Sequence, residues 1–231
     1  MNIKGLNKTT LLDYPGLVAA TIFLGGCSFC CPFCHNRSLV IHPEKIPDIP
    51  ASEVYDFLRK RRGVLDGVCV TGGEPTLHPG LPELLYTIKC MGYRVKLDTN
   101  GYDPVCLDHL IKDELVDYVA MDIKNSLDKY ARTAGFPDMD LARVRLSADI
   151  LMEGLVDYEF RTTVVHELHS IQDMEAIGQW LAGAKAYYLQ PYVESDDVIM
   201  PIFSSCGKEE LEQMRRALAN YVKKAAIRGM D

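Results

Sequence analysis

Six short apolar runs, each separated from the next by a helical pattern, limit what this chain can fold into. They are residues 17–24, 67–71, 94–99, 117–124, 157–165 and 186–192. Strands that alternate with helices imply right-handed βαβ units and a parallel sheet. The helical pattern is clearest in three stripes: Leu81, Leu84, Leu85 and Ile88; Leu141, Val144, Ala148 and Leu151; and Leu211, Met214, Leu218, Tyr221 and Val222. Each is spaced as one face of a helix packed on a sheet.

Successive residues of a strand point to opposite faces. Within 94–99, Arg94, Lys96 and Asp98 oppose Val95 and Leu97. Within 117–124, Ala120, Asp122 and Lys124 oppose Val119, Met121 and Ile123. Within 157–165, Glu159, Arg161 and Thr163 oppose Phe160, Thr162 and Val164. A flat parallel sheet covered on both faces is apolar on both. One face here repeatedly carries charge, which predicts a curved α/β sheet around a polar, ligand-filled lumen. Six units fall short of the eight in a closed barrel, so the expectation is a partial (β/α)6 barrel open on one side. The chain has 231 residues and no linker rich in Ser, Gly or Pro, so residues 1–231 are expected to form one domain.

A net charge of -7 argues against a protein that grips nucleic acid by its phosphates. No apolar run has membrane-spanning length, and the N-terminal MNIKGLNKTTLLDYPG lacks the apolar core of a signal peptide. The expected location is the cytoplasm. In that reducing environment clustered cysteines are metal ligands more often than disulfides.

The segment GGCSFCCPFCHN, residues 25–36, holds Cys27, Cys30, Cys31 and Cys34. It follows the first predicted strand at its C-terminal end, the edge where ligands collect in parallel α/β folds. Four thiolates suit a zinc ion, but zinc sites usually join two CxxC knuckles across a longer loop, and the adjacent Cys30 and Cys31 do not readily converge on one tetrahedral ion. Leaving Cys30 aside gives CxxxCxxC. A [4Fe–4S] cluster normally takes four thiolates, so three leave one iron open to a non-protein ligand.

A second loop, VTGGEPTLHPG at residues 70–80, ends the next strand. Its glycines permit close backbone approach, and Glu74 is suited to an ammonium group. Asp98 and Asp122 end the third and fourth strands. Two lumenal carboxylates this close repel unless a cation, a proton or a lysine intervenes. Lys124 on the same face is one candidate; a cation with oxygen ligands is the other.

CxxxCxxC after the first strand resembles the signature of the radical S-adenosylmethionine (SAM) superfamily. The resemblance implies a [4Fe–4S] cluster held by Cys27, Cys31 and Cys34, whose open iron binds SAM, and an electron transfer that releases a 5′-deoxyadenosyl radical. It places Phe33 near the adenine. It also assigns Gly72, Gly73, Glu74 and Pro75 to the superfamily's GGEP motif, which receives the methionyl amine. DTNG (98–101) and MDIK (121–124) resemble motifs of glycyl-radical-enzyme activases. Their implied SAM contacts are Asp98, Thr99, Asn100, Asp122 and Lys124, with a monovalent cation between the acidic residues. Arg161 and Gln190 are implied helpers at the SAM carboxylate or ribose, and a barrel salt bridge is the plainer reading of Arg161. Where such activases commonly carry a histidine after PY, this chain has Val193, so that histidine's adenosine contact must be missing or replaced.

The segment from Leu11 to Asn36 is most similar to anaerobic ribonucleoside-triphosphate reductase activating proteins. That likeness implies abstraction of a glycine Cα hydrogen from a large partner enzyme, with flavodoxin or ferredoxin as electron donor. Asp13 of DYPG is implied to touch the incoming backbone, though a simple turn accounts for it equally well. Two other readings remain: a small-molecule enzyme resembling 7-carboxy-7-deazaguanine synthase, and a non-enzymatic iron–sulfur or zinc protein. Cys30 is expected to be a small loop side chain. Cys69, Cys90, Cys106 and Cys206 are expected as buried fillers, and His78, His166 and His169 as loop or surface residues.

Overall fold

A computed structural model describes residues 2–229. Its eight strands form one sheet in chain order: β1 (Ile3–Thr10), β2 (Ala19–Leu24), β3 (Gly67–Gly72), β4 (Arg94–Thr99), β5 (Tyr118–Asp122), β6 (Asp157–Val164), β7 (Tyr187–Pro191) and β8 (Ala225–Ile227). β1 runs antiparallel to β2, and every later neighbour is parallel. Among the described residues β1 and β8 do not pair with each other, so the curved sheet stays open. β2 to β7 are the six expected strands, and the partial barrel is the architecture found.

The two outer strands were not expected. β1 reads IKGLNKTT, a half-polar edge strand without a continuous apolar run. β8 has three residues, too few for any periodic signal.

The helices are α1 (Arg37–Ile41), α2 (Ala51–Lys60), α3 (Leu81–Cys90), α4 (Pro104–Lys112), α5 (Tyr130–Thr133), α6 (Leu141–Met152), α7 (Ile171–Trp180) and α8 (Lys208–Ala219). Leu81, Leu84, Leu85 and Ile88 of α3 are all buried, each contributing about 1.5–3 kcal/mol on removal from water. The stripe ending in Tyr221 and Val222 overruns α8, which stops at Ala219. α7 starts at a capping box in which Ser170 and Asp173 satisfy each other's backbone donors. No described helix is long and apolar enough to cross a membrane.

This architecture brings the loops after β2, β3 and β4 to one edge of the sheet. The charged residues of β4, β5 and β6 line the hollow beneath them.

Candidate active site

The loop after β2 is laced to its neighbours through the backbone. Gly73 N–H donates to Leu24 O at 2.8 Å and Glu74 N–H to Gly26 O at 2.7 Å. Gly72 has φ +125°, and a Cβ there would run into Leu24 backbone. A Cβ on Gly73 would run into the Gly26 carbonyl. The two glycines therefore permit a close approach that no other residue allows. Asn36 Nδ2 donates to Gly72 O at 2.9 Å, closing the cysteine loop onto the same strand end.

A cavity of about 760 Å³, counting its open mouth, lies at this edge. Its lining includes Cys27, Cys31, Cys34, Phe33, Gly72, Gly73, Glu74, Asp98, Thr99, Asn100, Asp122 and Lys124. Most residues singled out in the sequence thus converge on one space. Pro75 is buried beside it, at the start of a short 3-10 turn. Cys30 is exposed and turned away: its N–H donates to Ala134 O at 3.0 Å, and its carbonyl packs where Gly135 has no side chain.

The donor set suits an iron–sulfur cluster. Burial pushes the Cys27 and Cys31 thiols up to about 12 and raises Cys34, so without a cation all three would stay protonated. A coordinated metal deprotonates its thiols outright. The nearby Lys124 ammonium acts in the same direction on all three sulfurs. Phe29 N–H donates to Cys27 Sγ at 3.3 Å, a bond that strengthens when the sulfur carries charge. Among the described residues the three cysteines do not form a group whose ligand atoms all lie within 4.8 Å. A single zinc ion, with Zn–S bonds of about 2.3 Å, needs sulfurs nearer than that; a cubane spreads them further.

Glu74, expected to pair with an ammonium group, already accepts from protein donors. It is 1% exposed, and its oxygens accept Thr76 N–H at 3.2 Å, Thr76 Oγ1 at 2.6 Å, Thr99 Oγ1 at 2.7 Å and Asn100 N–H at 2.7 Å. Burial raises its pKa, and these donors oppose the rise. Asn100 Nδ2 reaches on to Ser28 Oγ at 3.0 Å, tying the third loop to the first.

The acidic pair is neutralised by the protein itself. Arg161 Nη1 lies 3.1 Å from Asp98 Oδ2, and its Nε lies 2.9 Å from Asp122 Oδ1. Lys96 pairs with Asp98, and Lys124 Nζ lies 3.3 Å from Asp122 Oδ2. Burial alone would raise both carboxyls. Arg161, with Lys96 at Asp98 and Lys124 at Asp122, holds each below its ordinary value. The Arg161 guanidinium, whose fork matches two carboxylates, lies where a monovalent cation was expected. Arg161 makes the barrel salt bridge of the plainer reading. Gln190 shares the lumenal side of β7 with Tyr188 but is not among the cavity's lining residues.

Below this network, Arg228 grips Glu159 through two bonds of 2.7 and 2.9 Å and lies 3.7 Å over the Tyr188 ring. Tyr118 donates to Glu159 at 2.8 Å. Sequence reasoning missed Arg228, because β8, the strand before it, carries no pattern. It also passed over Lys96 as a site residue, although its place on the charged face was the signal. Asp13 accepts from Thr21 Oγ1, and its loop joins β1 to the N-terminal end of β2, the edge opposite the cysteines. Val193 O accepts from His35 Nε2 at 2.6 Å, so the backbone at this position engages the CHN histidine.

One assignment made from sequence is corrected: Cys90, expected as a buried filler, is exposed, and Cys106 is half-buried. His169 lies in a loop, as expected, but is buried there; its ring meets Val165 N–H at 3.1 Å and Lys124 O at 2.8 Å. His78 is half-buried, with Nε2 3.0 Å from Gly25 O.

A family model described as the radical SAM superfamily matches residues 21–181. A Methanocaldococcus jannaschii protein called "putative glycyl-radical enzyme activating enzyme" is 30% identical over 240 residues, covering 99% of this chain and 96% of that protein. The 7-carboxy-7-deazaguanine synthase of Neisseria meningitidis is 29% identical over 136 residues, 59% of this chain and 58% of the synthase. Among solved structures, a radical SAM methyltransferase from Sphaerobacter thermophilus superposes with TM-score 0.71 at 15% identity, over 94% of this chain and 68% of that one. A domain of a pyruvate-formate lyase-activating enzyme from Bacteroides vulgatus gives 0.57 at 20% identity, over 71% of this chain and 99% of that one. At such identities these two likenesses show the fold.

Proposed function

The chain belongs to the radical SAM superfamily and groups with its glycyl-radical-enzyme activases, and from that premise we propose that it abstracts a glycine Cα hydrogen from a larger partner enzyme. The proteins of this family use a [4Fe–4S] cluster and SAM. When bound and reduced, the cluster supplies the electron that cleaves SAM to methionine and the hydrogen-abstracting 5′-deoxyadenosyl radical.

The chain's own residues then have assignable tasks. Cys27, Cys31 and Cys34 hold the cluster, and Cys30 stays outside. The Gly72–Gly73 backbone forms the shelf for the methionyl end of SAM. Glu74, occupied by protein donors, holds that shelf and the Thr99–Asn100 loop in place. Lys124 and the Asp98–Arg161–Asp122 network supply charge to the polar end of SAM, while Phe33 offers an aromatic face to the adenine. Pro75 and Gln190 act, in this reading, as supports at the rim. Residues 1–231 act as one radical SAM core in the cytoplasm. The reductant is flavodoxin or ferredoxin, and the partner is an anaerobic ribonucleotide reductase.

One observation carries this reading: the likeness to an activase spans 99% of the chain, whereas the likeness to the deazaguanine synthase spans 59%. The unclosed sheet fits it, since a loop of a large protein needs a way to the cavity. The deciding experiment mixes anaerobically reconstituted protein, SAM and reductant with candidate glycyl radical enzymes. An organic radical doublet on the ribonucleotide reductase is the expected result. No radical on any candidate, together with turnover of a free pterin, establishes the synthase reading instead.

A further inference from the structure

Away from the cavity, beyond the end of β6, His166, Cys206 and Glu210 bring an imidazole nitrogen, a sulfur and a carboxylate oxygen within 4.8 Å of one another. Among the described residues no other trio of His, Cys, Asp or Glu meets that spacing. His166 Nδ1 lies 3.1 Å from Glu210 Oε2. Cys206 is 6% exposed, while the His166 and Glu210 side chains are 56% and 31% exposed. The cysteine is thus buried at the margin of the core, and the other two lie nearer the solvent.

The trio is held by backbone. Val165 bridges Ser205 in antiparallel fashion, and His166 N–H donates to Ser204 O at 3.1 Å. The Glu167 carboxylate clamps Ser204 through its N–H at 3.0 Å and its Oγ at 2.6 Å. His169, packed beneath, receives Val165 N–H at 3.1 Å. Glu210 lies in the first turn of α8, four residues after Cys206. The two segments are therefore fixed side by side, and only side-chain rotations of the exposed His166 and Glu210 separate the present arrangement from a coordination shell. Tetrahedral zinc, with bonds of about 2.0–2.3 Å, sets its ligand atoms about 3.3–3.8 Å apart.

We propose that His166, Cys206 and Glu210 form a binding site for one borderline-soft divalent cation, Zn²⁺ foremost, with water as the fourth ligand. One thiolate, one imidazole and one carboxylate match zinc in both softness and geometry. The site has a structural consequence. The segment from Val193 to Phe203 leans on the cysteine loop: Met200 N–H donates to Pro32 O at 2.8 Å, and Ile199 N–H to Cys34 O at 3.2 Å. Its C-terminal end runs directly into Cys206. A cation there pins the strap that backs the cluster ligands.

The test uses the cluster-loaded protein, incubated anaerobically with Zn²⁺, desalted and assayed for zinc and iron together. One zinc per chain beyond the cluster iron is expected. Glu210→Gln, at a partly exposed helix position, should cut retained zinc at least tenfold with iron content unchanged, and Cys206→Ser should do the same. Zinc-edge absorption should show one sulfur among nitrogen and oxygen neighbours. Absence of zinc in the wild type, equal retention by both variants, or a sulfur-only shell placing the ion on the cysteine loop would each overturn the proposal.

Discussion

Glu74 Oε2 accepts the backbone N–H of Asn100 at 2.7 Å, and through this bond the loop after β3 holds the loop after β4. Both residues are buried, so water cannot replace either partner. An orphaned buried donor costs about 1–3 kcal/mol. Glu74→Ala orphans the Asn100 N–H and three further donors. The variant is expected to lower the denaturant midpoint and to weaken SAM binding at least tenfold, or about 1.4 kcal/mol. Equilibrium dialysis with SAM alongside urea unfolding checks both effects; unchanged SAM affinity would remove Glu74 from the shelf's support.

Arg161 stands between two carboxylates that would otherwise repel. Removing one partner of a buried ion pair costs about 3–5 kcal/mol. Arg161→Met is expected to lower thermal stability by that order and to create a cation dependence, with K⁺ restoring part of the loss. The wild type should be indifferent to exchange of K⁺ for a bulky organic cation. Melting curves in both buffers decide; equal K⁺ stabilisation of the wild type would show that an ion belongs between the carboxylates after all.

The same pair sets an acid limit. Asp98 and Asp122 are held below their ordinary values in the fold. In the window between the folded and the unfolded values the unfolded chain binds more protons, so stability rises with pH there. Their contribution is complete above the ordinary carboxylate range and is lost as pH falls through the depressed folded values. Asp98→Asn should flatten the acid limb of a stability-versus-pH curve; an unaltered limb would assign acid sensitivity to other groups.

Cys30 is exposed and Cys31 is buried in the cavity wall. Cys30→Ala should retain full iron content and an unchanged spectrum of the reduced cluster. Cys31→Ala should lose most of its iron. Iron analysis with electron paramagnetic resonance separates them, and iron loss in Cys30→Ala would mean that the adjacent sulfur, too, is a ligand.

Gly73 lies against the Gly26 carbonyl, with no room for a methyl group. Gly73→Ala must push the two loops apart and break the Glu74–Gly26 bond. A loss of about 1–3 kcal/mol is expected from overpacking, with SAM binding falling further than stability does. Gly207→Ala, where φ is -66° and a Cβ meets nothing within 4 Å, serves as the comparison for a glycine with room for a methyl group.

Much of this was readable along the chain. The two-residue alternation of β4, β5 and β6 placed Lys96, Asp98, Asp122, Lys124, Glu159 and Arg161 on one face, because side-chain direction in a strand is a local property. The adjacency of Cys30 to Cys31, and the CxxxCxxC spacing left without it, separated Cys30 from the other three. The helical stripes and six strands were likewise local patterns of burial. Partnership was not local. Arg161 and Asp122 are 39 positions apart in sequence, Arg228 and Glu159 are 69 apart, and His166 and Glu210 are 44 apart. Which charge neutralises which depends on strand register and on how far the sheet curls, and both are set by packing across the whole chain. Residue types and faces were therefore determined by the sequence alone. The bridging of Asp98 and Asp122 by Arg161, the engagement of Glu74 by protein donors and the meeting of His166 with Cys206 were decided only in three dimensions.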